Sequence, residues 1–406
     1  VTKAFVKLGE PPYTDRYVRW WERTGVSRPL LLDKPERPAI MLGSRWGKLK
    51  RTKIGLLLVS VLLFLLAGCR TPQSEYHKHS DSFFDTFDTM IQVVAYARSE
   101  QEFNAYFQKI HARFQRLHKL YDIYNSYPGL NNIKTINDNA GIRPVKVDKE
   151  IIDLLLFAKE WYARTGGKTN IALGPVLRIW HDYRTEGIDD PEHAKLPPLK
   201  KLREAAKHTD INKVIIDTKK STVYLAEKGM SLDVGAVAKG FATEIVAREM
   251  KAEGMTSGVI SAGGNVRTIG KPLDGLREYW SIGIHDPDKP IVSDEPGILA
   301  AVQVNDAAVV TSGDYQRYYI VDGKVIHHLI DPATLMPANY YRAVTVVAKD
   351  SSLADFLSTT AFLMPYKESR ALIDSLDGVE ALWVMPDGRV EATEGMKKIM
   401  KSYGEK

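Results

Sequence analysis

"GVISAGGNVRTIG", Gly258 to Gly270, holds two short β-branched runs separated by a pair of glycines, the pattern of two adjacent strands. The runs that follow keep the same spacing: "YWSIGIHD", "ILAAVQV", "AAVVTSG", "QRYYIV", "KVIHHLID" and "YRAVTVVA" succeed one another up to Ala348. Such close order with turn residues between runs predicts a largely antiparallel sheet. Upstream the period changes. Phe103, Phe107, Ile110, Phe114, Leu117 and Leu120 or Tyr121 form a helical stripe, with Ser99 as N-cap and Glu102 in capping-box position. A second helix is expected over Lys149 to Arg164, capped by Asp148 and stopped by Gly166 and Gly167. Further helices are expected after "TNIALGP", across Lys200 to Lys207, over Ser352 to Leu363 and over Tyr366 to Ser375, with strands at "KVIID" and "TVYLA". A last hairpin turns at Asp387-Gly388. Residues 125–141 and 185–198 read as loops. Strands and helices come in blocks rather than strict alternation, which makes the fold class α+β.

Two distant stretches carry oxygen ligands at the start of expected helices: "LDVGAVAKGFATE", Leu232 to Glu244, and "SLADFLSTTAFLM", Ser352 to Met364. In the first, Asp233, Gly235, Ala236 and Gly240 lie where a strand reading to Asp233 gives way to a helix. Free N–H groups there favour phosphate, and Lys239 adds positive charge. The same glycine-rich turn also occurs in proteins that bind no nucleotide. In the second, Asp355 and Thr359 share one helix face and could hold one cation together; the plainer reading is a carboxylate near a helix N-terminus. Gly263 and Gly264 fit either a backbone approached closely by a planar ligand or a β-bulge. His328, followed by Asp331-Pro332 at a strand end, reads as an acid or base, or as a turn residue bonded to Asp331.

At 406 residues, 44% of them hydrophobic and 26% charged, the chain can bury a substantial core. Its net charge of +6 is concentrated before residue 55, so it gives no reason to expect a nucleic-acid partner. Cys69 is the only cysteine, which excludes an intramolecular disulfide and a cysteine zinc site. It follows "KLKRTKIGLLLVSVLLFLLAG": a basic stretch, an apolar run from Ile54 to Ala67 and small residues, in the order of a secretory signal. That run is shorter than the roughly 20 residues of a membrane span. "LAGC" resembles the bacterial lipobox, which implies cleavage before Cys69 and lipid attachment to its sulfur. The expected organisation is a leader over residues 1–40 upstream of a start at Met41, a lipoprotein signal over 41–68, the lipidated Cys69 with a polar tether to Ser82, and one catalytic domain over 83–406. The expected location is the extracytoplasmic face of the cell membrane.

Taken together, "LDVGAVAKGFATE", "SAGGNVRTIG", "WSIGIHDP", "VVTSGDYQRYY", "HHLIDPATLMP" and "LADFLSTTAF" resemble, in order and spacing, the ApbE family of FAD:protein FMN transferases. The resemblance implies an ApbE-like, T-fold-like domain and a magnesium-dependent reaction. FAD is split at its diphosphate, FMN passes to a threonine hydroxyl of an acceptor flavoprotein in a Ser/Thr-Gly-Ala-Thr-like motif, and AMP is released. Hydrolysis of FAD to FMN and AMP, or FAD binding without turnover, are the alternatives. Matched to the family motifs, the Ala236 carbonyl, Asp355 and Thr359 would hold Mg²⁺. Phe87, Asn170, Asp233, Lys239, Gly263, Gly264 and the backbone near Ile330 would contact flavin, and His328 with Asp331 would serve the acceptor hydroxyl. The sequence departs from the family at Phe87-Asp88-Thr89, where Met-Gly-Thr is usual, and at Thr169-Asn170, where Phe-Asp is usual.

Overall fold

The computed structural model describes residues 75–290 and 297–402. The expected leader, signal and Cys69 lie outside the described residues. The chain opens with β1 (His77–Thr86) and β2 (Thr89–Ala97), followed by the long α1 (Glu100–Tyr121), short α2 (Ile133–Asp138), β3 (Val145–Lys146) and α3 (Lys149–Arg164). Then come α4 (Gly174–Asp189), α5 (Leu199–Ala206), the hairpin of β4 (Val214–Asp217) with β5 (Thr222–Leu225), and α6 (Ala238–Ala252). The strand-rich part runs through β6 (Gly258–Ala262), β7 (Asn265–Ile269), β8 (Trp280–His285), β9 (Ile298–Val304) and β10 (Ala308–Gly313). It continues with β11 (Tyr318–Val321), β12 (Lys324–His327), β13 (Ile330–Asp331), β14 (Met336–Pro337) and β15 (Ala343–Ala348). The last elements are α7 (Ser351–Phe362), α8 (Tyr366–Asp374), β16 (Glu380–Val384), β17 (Val390–Ala392), α9 (Glu394–Ile399) and β18 (Met400–Ser402).

The central sheet has the order β1-β2-β6-β7-β10-β15-β16-β17, and each neighbouring pair is antiparallel. Both of its faces are buried. Ile91, Val93 and Ala95 of β2 point into a core shared with α1, α3, α6 and α7, whereas Val94 and Tyr96 join Trp280, Ile282 and Val302 from a second sheet, β18-β9-β8. Two-sided burial accounts for the continuous run "VVAYA" from Val93 to Ala97, since strict alternation belongs to strands with one wet face. The stripe of α1 is buried as expected, from Phe103 to Tyr121, and Ser99 Oγ accepts from the Glu102 N–H. Glu102 reaches one residue past the box position and accepts from Arg98 N–H instead.

Four expectations require correction. The tether to Ser82 is strand from His77 onward, because β1 is an edge strand whose polar side chains face water while its backbone pairs with β2. The loop over 125–141 contains α2, a helix too short for a visible period, which is fixed by an Asn132–Thr135 capping box. In the 185–198 loop, α4 continues to Asp189 before a 3₁₀ turn at Pro191–His193. Asp148 occupies the N-cap of α3 without capping it, its carboxylate being drawn to Arg116.

One end of the central sheet collects the loops that matter. There the β1–β2 turn at Phe87-Asp88 and the β6–β7 turn at Gly263-Gly264 lie side by side, and Gly263 N–H donates to the Met90 carbonyl. All four turn residues have positive φ, as two-residue hairpins of matching twist demand. Gly263-Gly264 is therefore a hairpin turn rather than a bulge. β10 ends and β15 begins at this same end, so the excursion from Asp314 to Arg342, with β11 to β14, springs from it.

Candidate active site

Two helix starts meet at one point. The Gly240 N–H, in the first turn of α6, donates to Asp355 Oδ2 of α7 at 2.7 Å. A Cβ on Gly240 would lie 2.4 Å from both Asp355 Cβ and the Ser351 carbonyl, so glycine is required by the closeness of the helices. Because that N–H turns to Asp355, no backbone N–H among the described residues closes on the Ala236 carbonyl four positions earlier. Thr359, one turn beyond Asp355 and likewise buried, approaches Ser312 Oγ of β10 at 3.2 Å. Burial raises the Asp355 carboxyl above its usual range, a shift that Lys239 and the Gly240 N–H oppose.

Buried polar contacts fix this junction. Glu244 Oε2 accepts from Arg267 Nε at 2.9 Å and from the Ser351 N–H at 2.8 Å, joining α6, β7 and the start of α7. Ser351 Oγ donates to Asn265 Oδ1 at 2.6 Å, which leaves Asn265 Nδ2 on the side of Gly240 and Asp355. Asp350 caps α7 by accepting from the Ser352 and Leu353 N–H groups.

Lys239 lies within electrostatic reach of Asp355, Asp233 and His328, and Arg317 and Arg184 act on the last two. The segment Ala226 to Val237 between β5 and α6 has no regular structure up to Val234, and Gly235 and Ala236 lie in a turn closed by the Val237 and Ala238 N–H groups on the Val234 carbonyl, directly before the helix. Asp233 is held by its own N–H to the Ile171 carbonyl and by the Gly235 N–H to its Oδ1. Enclosure by protein raises the Asp233 carboxyl, against Gly235, Arg317, Arg184 and Lys239. It lowers the Lys239 ammonium, against Asp355 in particular. Beside Asp233 lies a cavity of about 240 Å³, lined among others by Tyr124, Leu177, His181 and Ser231.

The two adjacent histidines differ. His327 is buried, accepts from the Leu329 N–H through Nδ1 and meets the Ala338 carbonyl through Nε2 at 2.8 Å. Burial lowers its pKa to about 4. His328 Nδ1 meets the Arg317 carbonyl at 3.2 Å. A carbonyl only accepts, so Nδ1 carries the proton and the Nε2 lone pair is presented away from it. Desolvation and the nearby Arg317, Arg184, His327 and Lys239 charges hold His328 well below the ordinary histidine range.

The other expected site residues are placed as follows. Phe87 packs edge-on against Phe114 and His118, and its N–H donates to His118 Nδ1. Asn170 uses both ends of its amide locally, Oδ1 on the Ala172 N–H and Nδ2 on the Thr209 carbonyl. Gly263 faces Thr89 and Gly264 faces Gln316. Ile330 is buried with Leu173, Val176 and Trp180. Asp331 forms no hydrogen bond with His328 among the described residues; its Oδ1 accepts from the Ala333 N–H and lies 3.5 Å from Lys168 Nζ. Arg317 and Arg184 were not singled out by sequence reasoning. Arg317 sits inside the quoted "TSGDYQRYY", and its spacing to His328 was the available signal.

Among the described residues no three His, Cys, Asp or Glu side chains cluster as a metal centre. The expected cation set is of another kind, one carboxylate with a hydroxyl and a backbone carbonyl, oxygen donors that suit a hard cation such as Mg²⁺.

The model of the ApbE family matches residues 87–383. The chain belongs to the ApbE family. Among curated relatives, the FAD:protein FMN transferase of Treponema pallidum is 35% identical over 276 residues, covering 65% of this chain and 73% of that protein. The FAD:protein FMN transferase of Klebsiella pneumoniae is 29% identical over 272 residues, covering 67% and 80%. Of the solved structures, the ApbE protein of Thermotoga maritima superposes with a TM-score of 0.68 at 29% identity, over 80% of this chain and 99% of the other. The flavin transferase ApbE of Vibrio cholerae, at 20% identity and a TM-score of 0.65, shares the fold over 80% of this chain and 99% of its own. The matched ApbE region begins at the β1–β2 turn and ends in β16, so it contains both helix starts and both histidines.

Proposed function

We propose that this chain transfers FMN from FAD to a threonine hydroxyl of an acceptor flavoprotein, releasing AMP, with Mg²⁺ bound between α6 and α7. The observation that carries the reading is the Gly240–Asp355 bond, which leaves the Ala236 carbonyl without a helical donor beside a buried carboxylate and hydroxyl. Those three oxygens would hold the ion, and when bound it supplies charge neutralisation at the diphosphate under attack.

The chain's own residues do the rest. Lys239 and Arg317, both within electrostatic reach of His328, would supply positive charge to the diphosphate. His328 Nε2 accepts the threonine proton while the threonine oxygen attacks the phosphorus of the FMN half. The bond from that phosphorus to the bridging oxygen breaks, and AMP leaves with the electron pair. Burial and the neighbouring cationic groups both weaken His328 as a base, and an anionic substrate would offset the second of these. Asp331 steadies the turn after His328 and acts through it.

The family names of its relatives and the six motifs support transfer, and the acceptor is the part left to chemistry. Incubation with FAD, Mg²⁺ and an FMN-acceptor domain, followed by intact mass and AMP assay, tests it. One FMN gained per acceptor with equimolar AMP supports the transferase; free FMN and AMP without mass gain would make it a hydrolase.

Lipid anchoring at Cys69 on the outer face of the membrane is part of the same proposal, supported by the basic stretch, the apolar run and "LAGC". A wild-type protein that retains residues 41–68, or that carries no lipid on Cys69 by mass, would refute it.

A further inference from the structure

At the end of the central sheet opposite the site, β1 starts, β2 and β7 finish and β6 begins: His77 is registered with Ala97, Ala95 with Gly258, and Gly258 with Ile269. Glu75 and Tyr76 are fixed there by Arg98, whose Nε donates to Glu75 Oε1 at 2.9 Å and whose guanidinium lies 5.0 Å over the Tyr76 ring. Five residues stand between Cys69 and Glu75. Fully extended, that length of chain reaches about 21 Å. A lipid on Cys69 therefore holds this end of the sheet next to the bilayer.

The loop from Gly270 to Tyr279, between β7 and β8, springs from the same end. Asp274 braces it: Oδ1 accepts from the Leu276 and Arg277 N–H groups at 3.0 and 2.9 Å, and Oδ2 accepts from Arg277 Nε at 2.6 Å and from Tyr96 OH at 3.2 Å. Arg277 Nη2 donates in turn to the Tyr96 hydroxyl at 2.7 Å, and Tyr96 is the register partner of Lys78 near the start of β1. Leu273 packs against the core between the two sheets, but Leu276 is 82% exposed and Tyr279 51%. Single exposed apolar residues are ordinary. This leucine differs in standing on a loop hydrogen-bonded to the very strands that a lipid on Cys69 would draw to the membrane. The carboxylates around it are paired, Asp274 with Arg277, Glu278 with Lys271 and Glu75 with Arg98, which limits their repulsion of anionic headgroups.

We infer that this end of the sheet, with Leu276 and Tyr279 at its rim, lies against the phospholipid bilayer. Leu276 enters the boundary between headgroups and acyl chains, and the Tyr279 ring sits at headgroup level, where amphipathic rings are favoured. The ten residues of β1 lead from this end to the Phe87-Asp88 turn, about 30 Å at roughly 3.3 Å per residue. The site consequently opens away from the membrane, and an acceptor must present its threonine in the aqueous layer rather than among the headgroups. The inference rests on the lipid anchor proposed above and goes beyond it, because an anchor alone leaves the orientation of the domain free.

The test uses the full-length lipidated protein in vesicles of phosphatidylethanolamine and phosphatidylglycerol. With Cys69 acylated, a Leu276→Cys or Phe84→Cys variant carries one free thiol for an environment-sensitive fluorophore; Phe84 is exposed on β1 towards the site end. The label at position 276 is expected to shift to the blue and to be quenched by nitroxide-bearing lipids, and the label at position 84 to do neither. A label at 276 that stays in water, or one at 84 that is quenched as strongly, would overturn the inference and leave the anchor standing. Because a fluorophore has its own affinity for lipid, a second pair carries the label on Tyr279→Cys with and without Leu276→Asp. The aspartate should lose most of the shift while FMN transfer is kept, and a shift that it leaves unchanged would also count against the inference. Intact mass reads the anchor separately: absence of lipid on Cys69 would overturn the anchoring reading, and the orientation with it.

Discussion

Gly240 and Asp355, 115 residues apart in sequence, are joined by a 2.7 Å hydrogen bond from the Gly240 N–H to Asp355 Oδ2. Each sits near the start of its helix, so the bond fixes α6 against α7 where a cation and a diphosphate are proposed to lie.

Substituting Gly240 by alanine drives a methyl group into Asp355 and Ser351, where neither backbone can yield easily. Overpacking of this kind costs about 1–3 kcal/mol, and because the strain falls on Asp355 the transfer rate should fall more than stability. Denaturation and flavinylation assays on Gly240→Ala check this, with Gly235→Ala as the control. Gly235 is exposed, and its new methyl would meet only Asp233 Oδ1 at 3.1 Å.

Glu244→Gln should destabilise the protein by about 3 kcal/mol, since it leaves the buried Arg267 guanidinium without its anionic partner. Urea unfolding measures the loss. Restoration by Arg267→Met in the double variant would identify the unpaired charge, rather than a lost packing contact, as the cause.

The stability of the fold should also depend on His327. Its folded pKa, about 4, lies below the ordinary 6.5, so the unfolded chain binds the extra proton in between. Stability is then full above pH 6.5 and falls by up to about 3 kcal/mol as pH drops towards 4. Denaturant midpoints across that window should show the slope in wild type and a shallower one in His327→Gln.

For the proposed mechanism the relevant group is His328. Burial first, and then Arg317, Arg184, His327 and Lys239, disfavour its protonation, so the proposed base stays neutral below the usual histidine range. The acid limb of kcat/KM for FAD should accordingly lie below pH 6.5, and His328→Ala should lose about 100-fold or more in transfer. A His328→Ala enzyme at wild-type rate would remove the residue from the mechanism.

Much of this was legible in the chain. The α1 stripe, the strands from Gly258 to Ala348 and the helix after Asp350 follow from periodicity, because each buries a regular set of apolar residues. β1 was not, since an edge strand with polar side chains carries its information in backbone pairing. Asp355 and Thr359 could be paired by helical spacing, but Arg184 and Arg317 belong to different segments, α4 and the start of the β11 excursion, which are related only through tertiary packing of α4 on β11. Nor could spacing tell His328, with one nitrogen on a carbonyl, from His327, with both occupied. Asn170, singled out by motif, also has contacts that the motif does not foretell, Oδ1 on the Ala172 N–H and Nδ2 on the Thr209 carbonyl.

The most direct measurement is FMN transfer by wild type and Asp355→Asn, with Mg²⁺ and with EDTA, read as the intact mass of the acceptor. The account predicts a gain of one FMN for wild type with Mg²⁺, abolished by EDTA and reduced about 100-fold or more in Asp355→Asn. Flavinylation by Asp355→Asn at the wild-type rate, or transfer indifferent to EDTA, would contradict it.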